Sequence, residues 1–481
     1  MSEPLFPRLA SPDGLEAFRI GDASLSYRQL AGAAAAVSAE VRGAGRVAVW
    51  AEPTPELCIG LVGALAAGVT VVPINPGIGA RELEHILTDS KPTRLIARSG
   101  AAVAPQLSAV ARLDVDPTSE GGPLPDELGE GEAAFVMYTS GTTGPPKGVQ
   151  IPRRAITSNL DVLAEIWSWT AEDRLVHALP VFHAHGLVLG VLGPLRRGGQ
   201  LEHVGRFSPQ AIAGAVHRGA TMVFGVPTMY HRIAQEVERT PELGEVIAGA
   251  RLLVSGSAPL PAADHHRIRE LTGQSILERY GLTEALMIAS VRLGQEMTPG
   301  RVGPPLPGVE AKLLDDSGTT IETSDDETIA EIAVRGPNLF TGYLNRPDAT
   351  AEAMRDGWFL TGDLATRDAS GSLRIVGRRA TDLIKSGGYR IGAGEIEGAL
   401  LEHPAISEAA VASRPDPDLG ERVAAWVVTT PGRTVDADEL AAHVESLLAR
   451  HKRPREVHFV DSLPRNEMGK VLKRALTPEK R

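Results

Sequence analysis

Arg46-Val47-Ala48-Val49-Trp50 and Thr70-Val71-Val72-Pro73 are short apolar runs, and a helix-like stretch over Pro55–Ala67 lies between them. Parallel strands need a long crossover, so a strand, a helix and a strand in this order read as one unit of a parallel sheet. The alternation continues outward, with helix-like Tyr27–Val41 before it and helix-like Ala80–Ser90 and strand-like Arg94–Ala97 after it. It returns from Ala155 to Glu278, where Thr221–Phe224 and Arg251–Val254 read as short buried strands. From Arg301 the texture changes to short strands and turns, as in Glu331–Val334, Trp358–Thr361 and Leu373–Val376. Beyond Gly377–Asp382 a compact module carries helices over Gly394–Glu402 and Asp438–Ala449. The fold class is therefore α/β.

Composition narrows the function. The 481 residues carry a net charge of −11, from 49 basic and 60 acidic side chains, which disfavours general nucleic-acid binding. The single cysteine, Cys58, excludes an intrachain disulfide and a thiolate metal cage, and on an apolar helix it reads as packing. Met1–Ala10 lacks a basic region followed by an apolar core. The longest uncharged stretch, Leu57–Ala80, is broken by Gly63, Gly68, Pro73, Asn75 and Pro76, so it does not read as a membrane span. These features lead us to expect a cytoplasmic protein without nucleic-acid or membrane partners.

The strongest chemical signal is Tyr138-Thr139-Ser140-Gly141-Thr142-Thr143-Gly144-Pro145-Pro146-Lys147-Gly148, which follows strand-like Ala133–Met137. Glycines let backbone approach phosphate oxygens, Ser140, Thr142 and Thr143 can donate to them, and Lys147 supplies charge. It differs from the Walker A spacing, because Pro146 stands where that motif has glycine.

This string resembles the phosphate loop of the adenylate-forming superfamily of acyl-CoA synthetases, luciferases and adenylation domains. Further motifs follow in the family's order: Arg279-Tyr280-Gly281-Leu282-Thr283-Glu284, Trp358-Phe359-Leu360-Thr361-Gly362-Asp363, Asp382-Leu383-Ile384-Lys385-Ser386-Gly387-Gly388 and Pro464-Arg465-Asn466-Glu467-Met468-Gly469-Lys470. The resemblance implies a large domain over residues 1–380, with layered α/β subdomains and a small β-barrel-like part. A small mobile α+β domain over 381–481 would follow, turning about a hinge at Thr381.

It also implies an ATP site of Thr139, Ser140, Gly141, Thr142, Thr143, Gly144, Lys147, Gly256, Ser257, Ala258, Pro259, Glu278, Tyr280, Gly281, Leu282, Thr283, Asp363 and Arg378. Within it, Asp363 would accept the ribose hydroxyls and Tyr280 would stack on adenine. Glu284 and Thr139 would hold Mg²⁺. Lys470 would meet the α-phosphate and the attacking carboxylate, and Lys470, Glu284, Thr139 and His185 form the catalytic set. Ser386, Gly387, Gly388, Tyr389 and Arg390 would face coenzyme A. The hinge stretch is one residue longer than the commonest family spacing, and its usual charged residue is replaced.

The choice of acid rests on fewer residues. Pro180-Val181-Phe182-His183-Ala184-His185-Gly186 matches the family's acyl-pocket element. Arg279 stands where ligases of fatty or aromatic acids have a small or neutral residue. A guanidinium is a poor neighbour for an alkyl chain but pairs well with a second carboxylate. With His183, Ala184, His185, Ser255 and Met287 it resembles the acid site of malonyl-CoA synthetases. The small Ala184 and flexible Met287 suggest room for a 2-methyl group. The alternatives are a ligase for another small acid, a free-standing adenylation enzyme loading a carrier protein, and a non-catalytic nucleotide binder. No carrier domain is seen, so a carrier partner is not expected. Residue by residue, Arg279 could instead be an ion-pair residue facing away, and Tyr280 core. The basic run His451-Lys452-Arg453-Pro454-Arg455 reads first as a solvated face. His177 and His203 read as structural.

Overall fold

The computed structural model describes residues 3–139, 145–379, 382–387, 389–465 and 471–476, and the Arg390 side chain lies outside that description. Arg46–Trp50 and Thr70–Ile74 are adjacent parallel strands, joined over the helix Pro55–Ala66 as the alternation predicts. They lie in a seven-stranded sheet that runs from Ala111–Val115 to the two-residue strand Gly342–Tyr343. In it Ala133–Thr139 and Lys147–Pro152, the strands on either side of the polar Gly/Thr stretch in sequence, pair antiparallel.

A second sheet, of eight strands, has a parallel centre ordered Ile276–Leu282, Leu252–Ser255, Met222–Gly225, Arg174–His177, Gln200–His203 and Glu16–Ile20. Helices cover these strands, so both faces are buried and the strands read as continuous apolar runs rather than alternating ones. The helix Tyr27–Val41 starts at a reciprocal cap in which the Ser26 hydroxyl accepts from Gln29 N–H. It buries Leu30, Ala34 and Val37.

The sheet-rich stretch after Arg301 forms a third sheet of antiparallel strands, including Ala330–Arg335, Trp358–Arg367 and Leu373–Arg378. From Leu383 onward a fourth sheet has its own core, in which Ile384, Ile391, Ile396, Leu400, Val411 and Val427 are buried with Leu440 and Val444 of the helix Ala437–Leu447. The second and third sheets meet at Asp363, where Trp358–Arg367, paired with Leu373–Arg378 in its own sheet, reaches Ile276–Leu282 through the Tyr280 hydroxyl. No helix among the described residues is long and apolar enough to cross a membrane.

Candidate active site

Strand Ile276–Leu282 presents successive side chains to opposite faces, and this alternation separates two polar clusters. On one face the Tyr280 hydroxyl donates to Asp363 Oδ2 at 2.6 Å, and Arg378 Nε lies 3.0 Å from Asp363 Oδ1. The Asp363 backbone is fixed as well: its N–H donates to Thr361 Oγ1 at 3.0 Å, and that hydroxyl donates to Ile332 O at 2.8 Å. Burial and the Asp363 charge push the Tyr280 phenol well above its ordinary range, so it remains a donor. The same carboxylate raises the pKa of Arg378.

On the other face stands Arg279, only 5% exposed. Its Nε and Nη2 have no hydrogen-bond partner among the described residues. The same holds for Ser255 Oγ and His185 Nε2, both buried. Gly256 makes room for this guanidinium, since a Cβ there would come 2.2 Å from Arg279 Cζ. Burial lowers the Arg279 pKa to about 10, and it remains a cation at neutral pH. His185 is pushed well below the usual imidazole range by burial, then by Arg279 and His177, so it is neutral. Its Nδ1 lies 3.3 Å from the Ser257 hydroxyl. Ser257 adopts φ +71°, a strained backbone for a residue with a Cβ. His185 also begins a π-helical segment, His185–Leu192, a winding common at functional sites. A buried cation with orphaned donors costs several kcal/mol unless an anion arrives, so this face can receive a carboxylate.

A third cluster lies at the Thr139–Lys147 end of the paired strands. The Tyr343 hydroxyl donates to Glu284 Oε1 at 2.9 Å, and Lys147 Nζ sits 4.3 Å from the Tyr343 ring centroid. Thr139 pairs with Lys147 at the base of the hairpin.

Other candidates are dispersed. Glu278 shares the Tyr280 face, where burial lifts its carboxyl to about 7 and its Oε1 accepts from Gly300 N–H at 2.8 Å. Ser257, Ala258 and Pro259 are exposed, while Gly281 pairs with Met287, and Leu282 with Leu286, across the neighbouring strand. A Cβ at Gly281 would lie 2.7 Å from Met287 Cε, so Met287 packs along this strand. Thr283 is half-buried, as are His183, which touches Phe182, and Ala184. In the last sheet Ser386 is buried, Gly387 has φ +58°, and the exposed Tyr389 stacks on His451 at 3.9 Å. Lys452 and Arg453 of the basic run pair with Glu395 and Glu445. Ser140, Gly141, Thr142, Thr143, Gly144, Thr381, Gly388 and Lys470 lie outside the described residues.

His177 and His203 are buried against each other, and burial pushes the Cys58 thiol up to about 12. Sequence reasoning missed Tyr343, and also Tyr230, whose hydroxyl donates to Val223 O and Val254 O beside Arg279. Neither stands in a motif; only tertiary placement identifies them.

Comparison with known proteins identifies the family. The AMP-binding enzyme family matches residues 9–344, and the AMP-binding enzyme C-terminal domain matches 395–470. A malonate–CoA ligase of Arabidopsis thaliana is 34% identical over 475 residues, covering 90% of this chain and 77% of that protein. A feruloyl-CoA synthase of Amycolatopsis sp. is 36% identical over 474 residues, covering 95% and 94%. Among solved structures, a malonyl-CoA ligase in a ternary product complex with methylmalonyl-CoA and AMP is 55% identical. It covers 96% of this chain and 100% of that one, at a TM-score of 0.76. With a family model spanning more than half its length and relatives about one-third identical along most of it, this chain belongs to the AMP-binding enzyme family.

Proposed function

We propose that the protein is an AMP-forming acid–thiol ligase that converts malonate, and also methylmalonate, to the coenzyme A thioester. Relatives at about one-third identity act on both malonate and ferulate by name, so the acid is argued from the site. The observation that carries the reading is the buried Arg279 guanidinium, whose Nε and Nη2 lack partners beside a neutral His185 and an unpartnered Ser255 hydroxyl. A dicarboxylate supplies the missing acceptor with one end while its other end reacts. A planar aromatic acid would leave that cation buried and unpaired. The solved neighbour described with methylmalonyl-CoA supports room for the 2-methyl group.

In the first step a carboxylate oxygen of the acid attacks the α-phosphorus of ATP, and the bond to the β-phosphate oxygen breaks to release pyrophosphate. Positioning and charge stabilisation do most of this work. Lys147 and the residue 139–144 backbone and hydroxyls hold the phosphates. Asp363 exchanges its Tyr280 and Arg378 partners for shared contacts with the ribose hydroxyls. Lys470 bridges the α-phosphate and the attacking oxygen. Arg279, with His185 and Ser255, fixes the distal carboxylate. In the second step the thiol of coenzyme A attacks the acyl carbonyl, AMP leaves, and the thiol proton passes to solvent. The 386–390 segment guides the thiol after the domain beginning near residue 381 turns about Thr381.

Mg²⁺ fits Glu284 and Thr139, which offer one carboxylate and one hydroxyl, both hard oxygen donors. No cluster of three or more His, Cys, Asp or Glu that could cage a metal exists among the described residues. An ion that arrives with the phosphates needs no such cage. When bound, it neutralises charge on the phosphate oxygens.

The test is AMP formation with ATP, Mg²⁺ and coenzyme A across acetate, butyrate, malonate, methylmalonate, ethylmalonate, succinate and benzoate. The reading predicts a clear preference for the malonates. A preference for monocarboxylates would keep the ligase and remove Arg279 from acid recognition.

A further inference from the structure

The polar loop between Thr139 and Lys147 is tied at both ends to one helix that none of the motifs contains. That helix, Ala80–Ser90, buries Leu83 and Ile86 and turns His85 and Asp89, one helical turn apart, toward the loop. At the loop's start the Tyr138 hydroxyl donates to Asp89 Oδ2 at 2.7 Å. At its end His85 Nε2–H donates to Pro146 O at 2.8 Å. The His85 and Tyr138 rings also meet edge to face, 6.1 Å between centroids. Asp89 uses its second oxygen to accept from Asn345 Nδ2 at 2.9 Å, and its backbone carbonyl accepts from the same nitrogen at 3.0 Å. Asn345 in turn follows Leu344, whose N–H donates to Gly148 O at 2.7 Å. Three segments that enter or leave the phosphate-loop region therefore converge on two side chains.

We propose that His85 and Asp89 are positioning residues that hold the mouth of the phosphate loop, and so set ATP affinity without touching ATP. The proposal rests on the adenylation reading above. A loop that presents backbone N–H groups and hydroxyls to phosphate works best when those donors are fixed before the ligand arrives. The hairpin fixes its two strands by ladder bonds. The Pro145-Pro146 dipeptide offers no N–H to continue that ladder, which leaves the Pro146 carbonyl as the group through which this segment is anchored. His85 supplies it. Tyr138 leads into the loop, and a free phenol there could turn; the Asp89 carboxylate holds it.

The experiment measures ATP affinity by calorimetric titration of the full chain with ATP and Mg²⁺ in the absence of acid. The Michaelis constants for ATP and malonate in AMP formation are measured alongside. His85→Phe keeps an aromatic ring and removes the donor, and Tyr138→Phe removes only the hydroxyl. Each is expected to weaken ATP binding about five- to tenfold, the loss of one ordered hydrogen bond with its preorganisation. The malonate constant should stay within about twofold. His85→Gln, which can still donate, should recover most of the ATP affinity. Tyr138→Phe and Asp89→Ala together should cost less than the product of their separate effects. Unchanged ATP affinity in both His85→Phe and Tyr138→Phe overturns the proposal, as does an equal rise in both Michaelis constants, which would report general loosening. A wild-type chain that binds ATP but forms no AMP with any acid would refute the ligase reading while the titration still decides this one.

Discussion

The two faces of strand Ile276–Leu282 hold buried polar groups in opposite states. Around Asp363 the carboxylate has a partner on each oxygen, from Tyr280 and Arg378. Around Arg279 the guanidinium, the Ser255 hydroxyl and His185 Nε2 are buried with polar atoms unpaired. The first face is already paired, so a ligand there would have to exchange contacts. The second is a store of unfavourable energy that only an incoming anion relieves. On the proposed reading this separates the two substrates physically: Asp363 would meet the ribose of ATP, and Arg279 would carry the choice of acid. It also predicts that truncating one residue on each face moves stability in opposite directions.

Arg279→Leu is expected to give the largest change. Losing one partner of a buried charge-assisted contact costs about 2–5 kcal/mol, so kcat/KM for malonate should fall on the order of 100-fold or more. The unliganded protein should melt at the same or a higher temperature, since an unpaired buried cation is replaced by an apolar side chain. Malonate should raise the melting temperature of the wild type and leave that of the variant unmoved. Steady-state kinetics and thermal melts check both halves. Malonate kinetics equal to wild type would show that Arg279 faces elsewhere, and the contrast between the two faces would collapse.

Asp363→Ala should do the reverse to stability. It strands the buried Tyr280 hydroxyl and the Arg378 guanidinium, whose side chain is 39% exposed and therefore partly solvated. A loss of about 2 kcal/mol follows, below the 3–5 kcal/mol of a fully buried broken pair. The Michaelis constant for ATP should rise roughly tenfold through loss of a charged acceptor, and that for malonate should hardly move. An unchanged ATP constant would refute the ribose role. Tyr280→Phe sharpens the point at smaller scale. It removes one donor while Arg378 remains, so about 1 kcal/mol of stability and a few-fold in ATP constant are expected from melts and kinetics.

Much of this was legible in the chain because it is local. Tyr27–Val41, Arg46–Trp50 and Ala80–Ser90 have in the structure the bounds that periodicity predicts. Pro55–Ala66 and Thr70–Ile74 differ by one residue at an end. The Asp363 pairing was not legible. Tyr280 and Asp363 lie 83 residues apart, and nothing in either motif says that one donates to the other. Nor was the role of Gly256 as clearance for Arg279, because a glycine beneath a guanidinium is a fact of strand pairing and not of spacing. Tyr343 was missed for the same reason: a two-residue strand has no periodicity to read, yet its ladder to Val149 and Gln150 brings it to Glu284 and Lys147.

Glu278, the residue before Arg279, offers the gentlest way to test how the shared strand tolerates charge. Its carboxyl is raised to about 7 from an ordinary 4.5, chiefly by burial, with the Gly300 N–H partly opposing the rise. Between those two values the folded protein keeps a proton that the unfolded chain has lost. Stability should therefore be greatest below about pH 4.5 as far as this group is concerned, fall as pH rises toward 7, and level off above it. The shift corresponds to about 3 kcal/mol at most across the window. Glu278→Gln mimics the protonated form and should flatten that part of the pH–stability curve while other groups keep theirs. Denaturant melts of both proteins between pH 5 and 8 give the difference directly. A difference that does not change with pH would mean that Glu278 ionises as readily folded as unfolded. The Tyr280 face would then be better solvated than its paired hydrogen bonds imply, and the contrast with the Arg279 face would narrow from that side.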